Sequence, residues 1–308
     1  MLQIRLPTLK ASPTDQLRGS VRRMFPEQID QQPAEYVRTL GTVFARFGAD
    51  TQDSGNISYG VDAAGTRYFV KTAGDPRNAE PSLDFPARGE LLRTAARLAT
   101  SVEHPLLPTF HGLIESPGGP LLVYAWRDGE HLGTSRESRD DPTTAYQRFR
   151  ALPAEEISAA LDQLFDLHAE LTDAGWVEGD FYDGALLYDF AERQLTVVDL
   201  DSYVHGPYRN TMGRMFGASR LMAPEEFSLG APIDDRTTAF VLARTALIFL
   251  ADGTLDRSTF RSTTPQYAVL QEATTTRFPS YRAFHTAWLT ACAHQPGPPV
   301  ERHHDDGA

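Results

Sequence analysis

The chain's 308 residues carry a net charge of −12, with 41% hydrophobic and 23% charged side chains. That length can bury a large core shared between two lobes, and the acidic balance argues against a nucleic-acid partner, which would need a basic face, though not against a nucleotide. The single cysteine, Cys292, rules out an intrachain disulfide and fits a cytoplasmic setting, and no apolar run is long enough for a membrane span.

Taken in order, residues 1–40 are polar and broken by Pro7, Pro13, Pro26 and Pro33. Tyr36, Leu40 and Phe44 recur at helical spacing, which predicts a helix over 33–47 packed on the first lobe. Two strands follow, 57–61 and 67–71, joined by a turn at 63–65. The loop before them, with Ser54, Gly55 and Asn56, can turn backbone N–H groups toward phosphate oxygens, although one Gly in a turn is also an ordinary turn. Lys71 ends the apolar run 68–70, so it projects from a buried strand and needs a counter-charge. Residues 87–99 read as a helix with Leu91, Leu92, Ala95 and Leu98 inward. Glu90 on that helix is a candidate partner for Lys71, or else a plain surface acid. A second hairpin, 108–114 and 121–126, leads to a polar hinge at 127–130, and 133–150 read as a surface loop.

Beyond the hinge, 153–174 form an amphipathic helix closed by Gly175, with His168 a packed residue and not a ligand. A hairpin follows, its apolar runs at 185–188 and 195–200. Asp180 and Asp183 stand before its first strand, and Asp199 and Asp201 at the end of its second. Acids so spaced are either two solvated hairpin ends or a catalytic base beside a Mg²⁺ ligand, since Mg²⁺ takes carboxylate oxygens and keeps several waters. Residues 203–227 read as a loop, 234–250 as a core helix capped by Asp234 or Asp235, and 281–293 as the last helix.

These residues together resemble the protein-kinase-like superfamily, from about residue 45 onward. F-V-K at 69–71 is similar to the strand Lys motif, Glu90 falls where the paired helix Glu belongs, and His104-Pro105 matches a dipeptide common after that helix. E-G-D at 178–180 resembles the catalytic-loop triplet, in the G-D form of aminoglycoside and choline phosphotransferases. D-L-D at 199–201 stands where D-F-G is expected, and G-A-S-R-L-M-A-P-E at 217–225 is similar to the end of an activation segment.

The resemblance implies an α+β, bilobal protein-kinase-like fold: an N-terminal extension and small β-rich lobe over 1–126, a hinge and mainly helical lobe over 127–295, and a disordered tail over 296–308. It implies ATP and Mg²⁺ as cofactors and Asp180 as the base. Nucleotide contact falls to Lys71, Glu90, Ser54, Gly55, Asn56, Tyr124 and Trp126, and metal binding to Asp199, with Asp201 or Asp183 compensating for a missing Asn. That Asn, five positions after Asp180, is Ala185. The Gly of D-F-G is Asp201, the catalytic-loop Lys is Tyr182, and the activation-segment Thr is Ala218.

Three functions follow as expectations. The first is an ATP-dependent phosphotransferase acting on a hydroxyl of a small molecule, such as an antibiotic or metabolite. In it Tyr182 offers the acceptor an aromatic face and a phenol, and the acidic chain favours a cationic or neutral acceptor. The second is a Ser/Thr protein kinase with a protein substrate, which M-A-P-E favours. The third is a pseudokinase serving as a binding or scaffold module, which Ala185 favours.

Overall fold

The computed structural model describes residues 25–48, 54–78, 80–81 and 83–293. Asp53, most of the N-terminal extension and the tail expected over 296–308 lie outside them. The chain is mixed α+β and divides into two compact units. One comprises the residues up to Glu103 together with Pro108–Arg127, and the other comprises His104–Leu107 and the residues from Asp128 on. The expected boundary at 126/127 lies one residue from this division. Among the described residues, no helix is long and apolar enough to cross a membrane.

In the first unit, α1 (Pro33–Leu40) begins on a Pro, whose fixed φ suits a first helical turn. It stops at Gly41, and β1 (Thr42–Phe47) follows. The helix expected through residue 47 is thus half strand. Thr42, Val43, Phe44 and Phe47 are β-branched or aromatic, and pairing with the next strand outweighs their helical spacing. That strand, β2 (Ile57–Ala63), turns into β3 (Thr66–Thr72) through Ala64 and Gly65, whose φ of 55° and 84° are what a two-residue hairpin loop demands. After α2 (Phe85–Ser101), capped by Asp84, β4 (Phe110–Ile114) and β5 (Leu121–Ala125) complete a sheet in the order β1-β2-β3-β5-β4. One face buries Val61, Val70, Leu121 and Val123 against Tyr36 and Val37 of α1. On the other, Leu92, Ala95 and Ala96 of α2 cover Leu122.

The second unit starts its regular structure with β6 (Glu130–His131) and α3 (Ala145–Arg150). The surface loop expected over 133–150 therefore ends in a helix, because Tyr146 and Phe149 are buried there. α4 (Ala154–Asp173), β7 (Trp176–Val177), β8 (Leu186–Asp189), β9 (Gln194–Val197), β10 (Val204–His205), β11 (Tyr208–Arg209) and β12 (Pro232–Ile233) follow, then α5 (Asp235–Leu250), α6 (Thr264–Thr274) and α7 (Tyr281–Ala293). The helices supply the core. Phe165 of α4 meets Phe284 and Trp288 of α7 edge to face at 5.1 and 5.0 Å, and Trp288 Nε1 donates to Asp162 at 2.6 Å. Burying a side chain of the size of Phe165 contributes roughly 1.5–3 kcal/mol.

Candidate functional site

Register decides which side chains of the first unit share a face. Lys71 pairs with Ser58 on β2 and Leu122 on β5, and Phe69 pairs with Gly60 and Tyr124. Cross-strand partners point the same way, so Lys71 lies on the face of Ser58, Gly60, Phe69 and Tyr124. It is buried, as its place after an apolar run implied.

The Lys71–Glu90 pair does not form. Glu90 is on the outer side of α2, its carboxylate shared by Arg97 at 3.1 Å and Arg93 at 3.8 Å and 59% exposed. The helical phase explains the correction: Arg88, Gly89, Leu92, Ala95 and Ala96 make the inner face, and Glu90 is turned away from it. The buried charge of α2 is Arg88, only 1% exposed, whose guanidinium donates to the carbonyls of Ala73, Leu83 and Asp75 at 2.9–3.0 Å. Arg88 thereby fixes the segment after β3.

Gly55 and Asn56 line a polar cleft of about 670 Å³ with Arg46, Asp75, Arg77, Asn78 and Glu80. Ser54 Oγ accepts the Asn56 N–H at 3.4 Å, and Gly74 presses against the Gly55 carbonyl so closely that no side chain would fit there. Arg77 spends its charge on Asp75 in a two-pronged ion pair. Of the two aromatic residues assigned to the nucleotide, Tyr124 packs on Phe110 at 5.1 Å beside α2. Trp126 and Phe44 lie over Gly60, 4.8 Å apart centre to centre, with Phe47 and Phe69 alongside.

The carboxylates of the second unit are organised by two glycines. Any Cβ at Gly179 would overlap the Ser202 carbonyl oxygen, so the 178–183 loop meets the segment that carries Asp199 and Asp201 backbone to backbone. A Cβ at Gly217 would come 3.3 Å from Asp180 Oδ1, so the Asp180 carboxylate lies against the 217–222 segment. Asp199 has φ 60°, a left-handed conformation that costs a non-Gly residue of order 1–3 kcal/mol and is held only where the surroundings impose it. The Tyr182 ring folds over Gly184, where a side chain would collide with it.

Beneath the loop lies a buried polar support. His168 Nδ1 donates to the Leu164 carbonyl at 2.8 Å, leaving Nε2 to accept the Tyr203 hydroxyl hydrogen at 2.6 Å. Burial lowers the imidazole to about 4, so it is neutral, the packed residue expected. Its ring meets Phe181 edge to face, next to Asp180. Glu178 is 1% exposed; one oxygen accepts the Phe181 N–H at 3.2 Å and the other has no partner. Burial, then Glu226, Asp180 and Glu225, push its carboxyl well above the usual range. Glu178 thus holds the loop from beneath through the Phe181 N–H, a role sequence reading missed. The available signal was an acid directly after the buried pair Trp176–Val177.

Asp183 is corrected as a metal ligand. It is buried and ion-paired through Oδ2 with Arg220, so that oxygen is committed within the protein. Burial pushes its carboxyl up, with Arg220 opposing. Ala185 is fully buried and supplies no oxygen. Among the described residues, no group of three or more acidic, His or Cys side chains is disposed to hold a metal. Asp199 and Asp201 are left, a set that suits only a cation that draws its other ligands from waters and a phosphate-bearing substrate, as Mg²⁺ does.

No protein-family model matches this chain, and no curated protein matches it.

Proposed function

We propose that this chain is an ATP-dependent phosphotransferase of protein-kinase-like, bilobal fold that moves a phosphoryl group to a hydroxyl of a small molecule. The observation that carries the reading is the pair of close approaches around Asp180: Gly179 on Ser202 and Gly217 against the Asp180 carboxylate. They bring a candidate base, a strained candidate Mg²⁺ ligand and a candidate acceptor-binding segment into one neighbourhood of the second unit. Asp180 takes or orients the acceptor hydroxyl proton. Asp199, with Asp201, would hold Mg²⁺, which when bound offsets the phosphate charge. In the first unit, Lys71 meets the nucleotide phosphates. Tyr182 flanks the acceptor ring.

A second reading, a Ser/Thr protein kinase, is favoured by the rigid build of the segment after Asp201. Glu225 is fixed by Arg277 at 2.5 Å and Thr237 at 2.8 Å, and Asn210 donates to the Gly213, Glu225 and Glu226 carbonyls. Phe227 and Leu229 are exposed beside it. Mg²⁺-dependent nucleotide turnover against panels of proteins and hydroxylated small molecules, with Asp180→Asn in parallel, separates the readings. A small-molecule product whose formation falls roughly 10²–10⁴-fold in Asp180→Asn is the expected result. Labelled protein with no small molecule modified selects the second reading, and no turnover with either panel selects a binding or scaffold module.

A further inference from the structure

Net charge argues for a cationic or neutral acceptor, but the charge beside the catalytic-loop candidate is of the other sign. Asp183, three residues after Asp180, is ion-paired with Arg220, and Arg139 also acts on it. Arg244 of α5 donates through Nε to the Arg220 carbonyl at 3.2 Å. Two guanidiniums, Arg220 and Arg139, thus act on one buried carboxylate, and Arg244 holds the Arg220 backbone. The other carboxylate in reach of Arg139, Glu137, is fully solvent-exposed and strongly screened. Among the described residues, neither Arg139 nor Arg244 has a carboxylate within ion-pair distance, and the Nε atoms of Arg139 and Arg220 are buried without an acceptor. Arg150, by contrast, is satisfied by the Ile248 and Ala251 carbonyls and Gln147.

A buried N–H of a charged group without an acceptor is costly, and surplus guanidiniums are repaid when an oxyanion presents planar, paired oxygens to them. We propose that Arg139 and Arg220 form an anion subsite, and that the acceptor carries a carboxylate or phosphate group besides its reacting hydroxyl. This rests on the phosphotransferase reading for the word acceptor, but not for the anion. Arg220 belongs to the same 217–222 segment that touches Asp180 through Gly217, so an anion held there sets the distance from the acceptor's charged end to the base.

The test is calorimetric titration of the full chain with inorganic phosphate, glucose 6-phosphate, gluconate and glucose, in the parent, Arg139→Gln and Arg139→Lys. The same compounds are assayed in parallel as acceptors. Arg139 is the residue to change, since it makes no side-chain hydrogen bond that its loss would break, whereas Arg220→Gln would orphan Asp183. Phosphate should bind the parent and weaken roughly tenfold in Arg139→Gln, with partial recovery in Arg139→Lys. Glucose should not bind, and tighter binding of glucose 6-phosphate or of gluconate identifies phosphate or carboxylate as the group read. Phosphate binding that is absent, or equal in parent and Arg139→Gln, overturns the subsite. Arg139-dependent phosphate binding with no turnover of any acceptor would leave the subsite standing and remove the phosphotransferase reading. Equal phosphorylation of glucose 6-phosphate or gluconate by parent and Arg139→Gln would do the reverse.

Discussion

Gly179 and Ser202 meet backbone to backbone, with no room for even a methyl group between residue 179 and the Ser202 carbonyl. Gly179→Ala must therefore push the 178–183 loop away. A backbone carbonyl cannot swing aside as a long side chain can, so stability should fall by about 1–3 kcal/mol. Displacing Asp180 by about 1 Å is enough to cost on the order of 10² in turnover. Urea denaturation and steady-state kinetics read the two effects, and a variant with parental values of both would mean that the contact yields freely.

Glu90→Gln should leave turnover unchanged and shift stability by less than about 0.5 kcal/mol, because its ion pairs with Arg97 and Arg93 are exposed. Lys71→Ala should abolish turnover. A loss of turnover in Glu90→Gln comparable to that in Lys71→Ala would restore the pairing that the helical phase of α2 rules out.

Glu226 gives a pH signature. Burial raises its carboxyl from 4.5 to about 7, so between those values the folded chain holds a proton that the unfolded chain has released. The stability it contributes is whole below pH 4.5 and is lost as the pH rises through about 7; Glu178 acts in the same direction. Glu226→Gln is neutral throughout and keeps an oxygen for the Ala223 N–H, which the parent's Oε2 accepts at 2.6 Å. It should be more stable than the parent at pH 8, by about 1–3 kcal/mol, with the advantage shrinking toward pH 4.5. Chemical denaturation at pH 5 and pH 8 decides; an equal difference at both would assign the proton to another group.

Asp199 sets function against stability. Replacing it with Gly removes the left-handed strain but adds freedom to the unfolded chain, terms of about 1–3 and 0.4–1 kcal/mol. Asp199→Gly should stay folded while losing turnover at every Mg²⁺ concentration. A marked drop in melting temperature would give Asp199 a structural role instead.

The sequence was most legible where periodicity and caps agree. α4 and α5 lie within a residue of their expected limits, and Ala64-Gly65 turns the first hairpin where expected. α6 was missed because Pro265 reads as a breaker, though it stands in the first turn, where its lost N–H costs nothing. β1 was mistaken for helix because Tyr36, Leu40 and Phe44 fall in step by coincidence across Gly41. The acids of the candidate site were picked out by their order along the chain. Their partners were not, since Arg220 lies 37 residues from Asp183, and no local pattern states that an arginine will claim a carboxylate. Glu90 shows the same limit: the helix was found, but one residue's phase on it decides which charge faces inward.

The chain visits the second unit early, at His104–Leu107, before it has finished the first. There Leu106, 1% exposed, offers its carbonyl to the N–H of Val197. During synthesis that carbonyl emerges long before the strand that will cover it. The second unit therefore cannot close until β9 leaves the ribosome, and no single cut at residue 127 would release two self-sufficient halves. The downstream fragment would lack Leu106, whose carbonyl accepts from its own hairpin, and the upstream one would carry Leu106 without that partner.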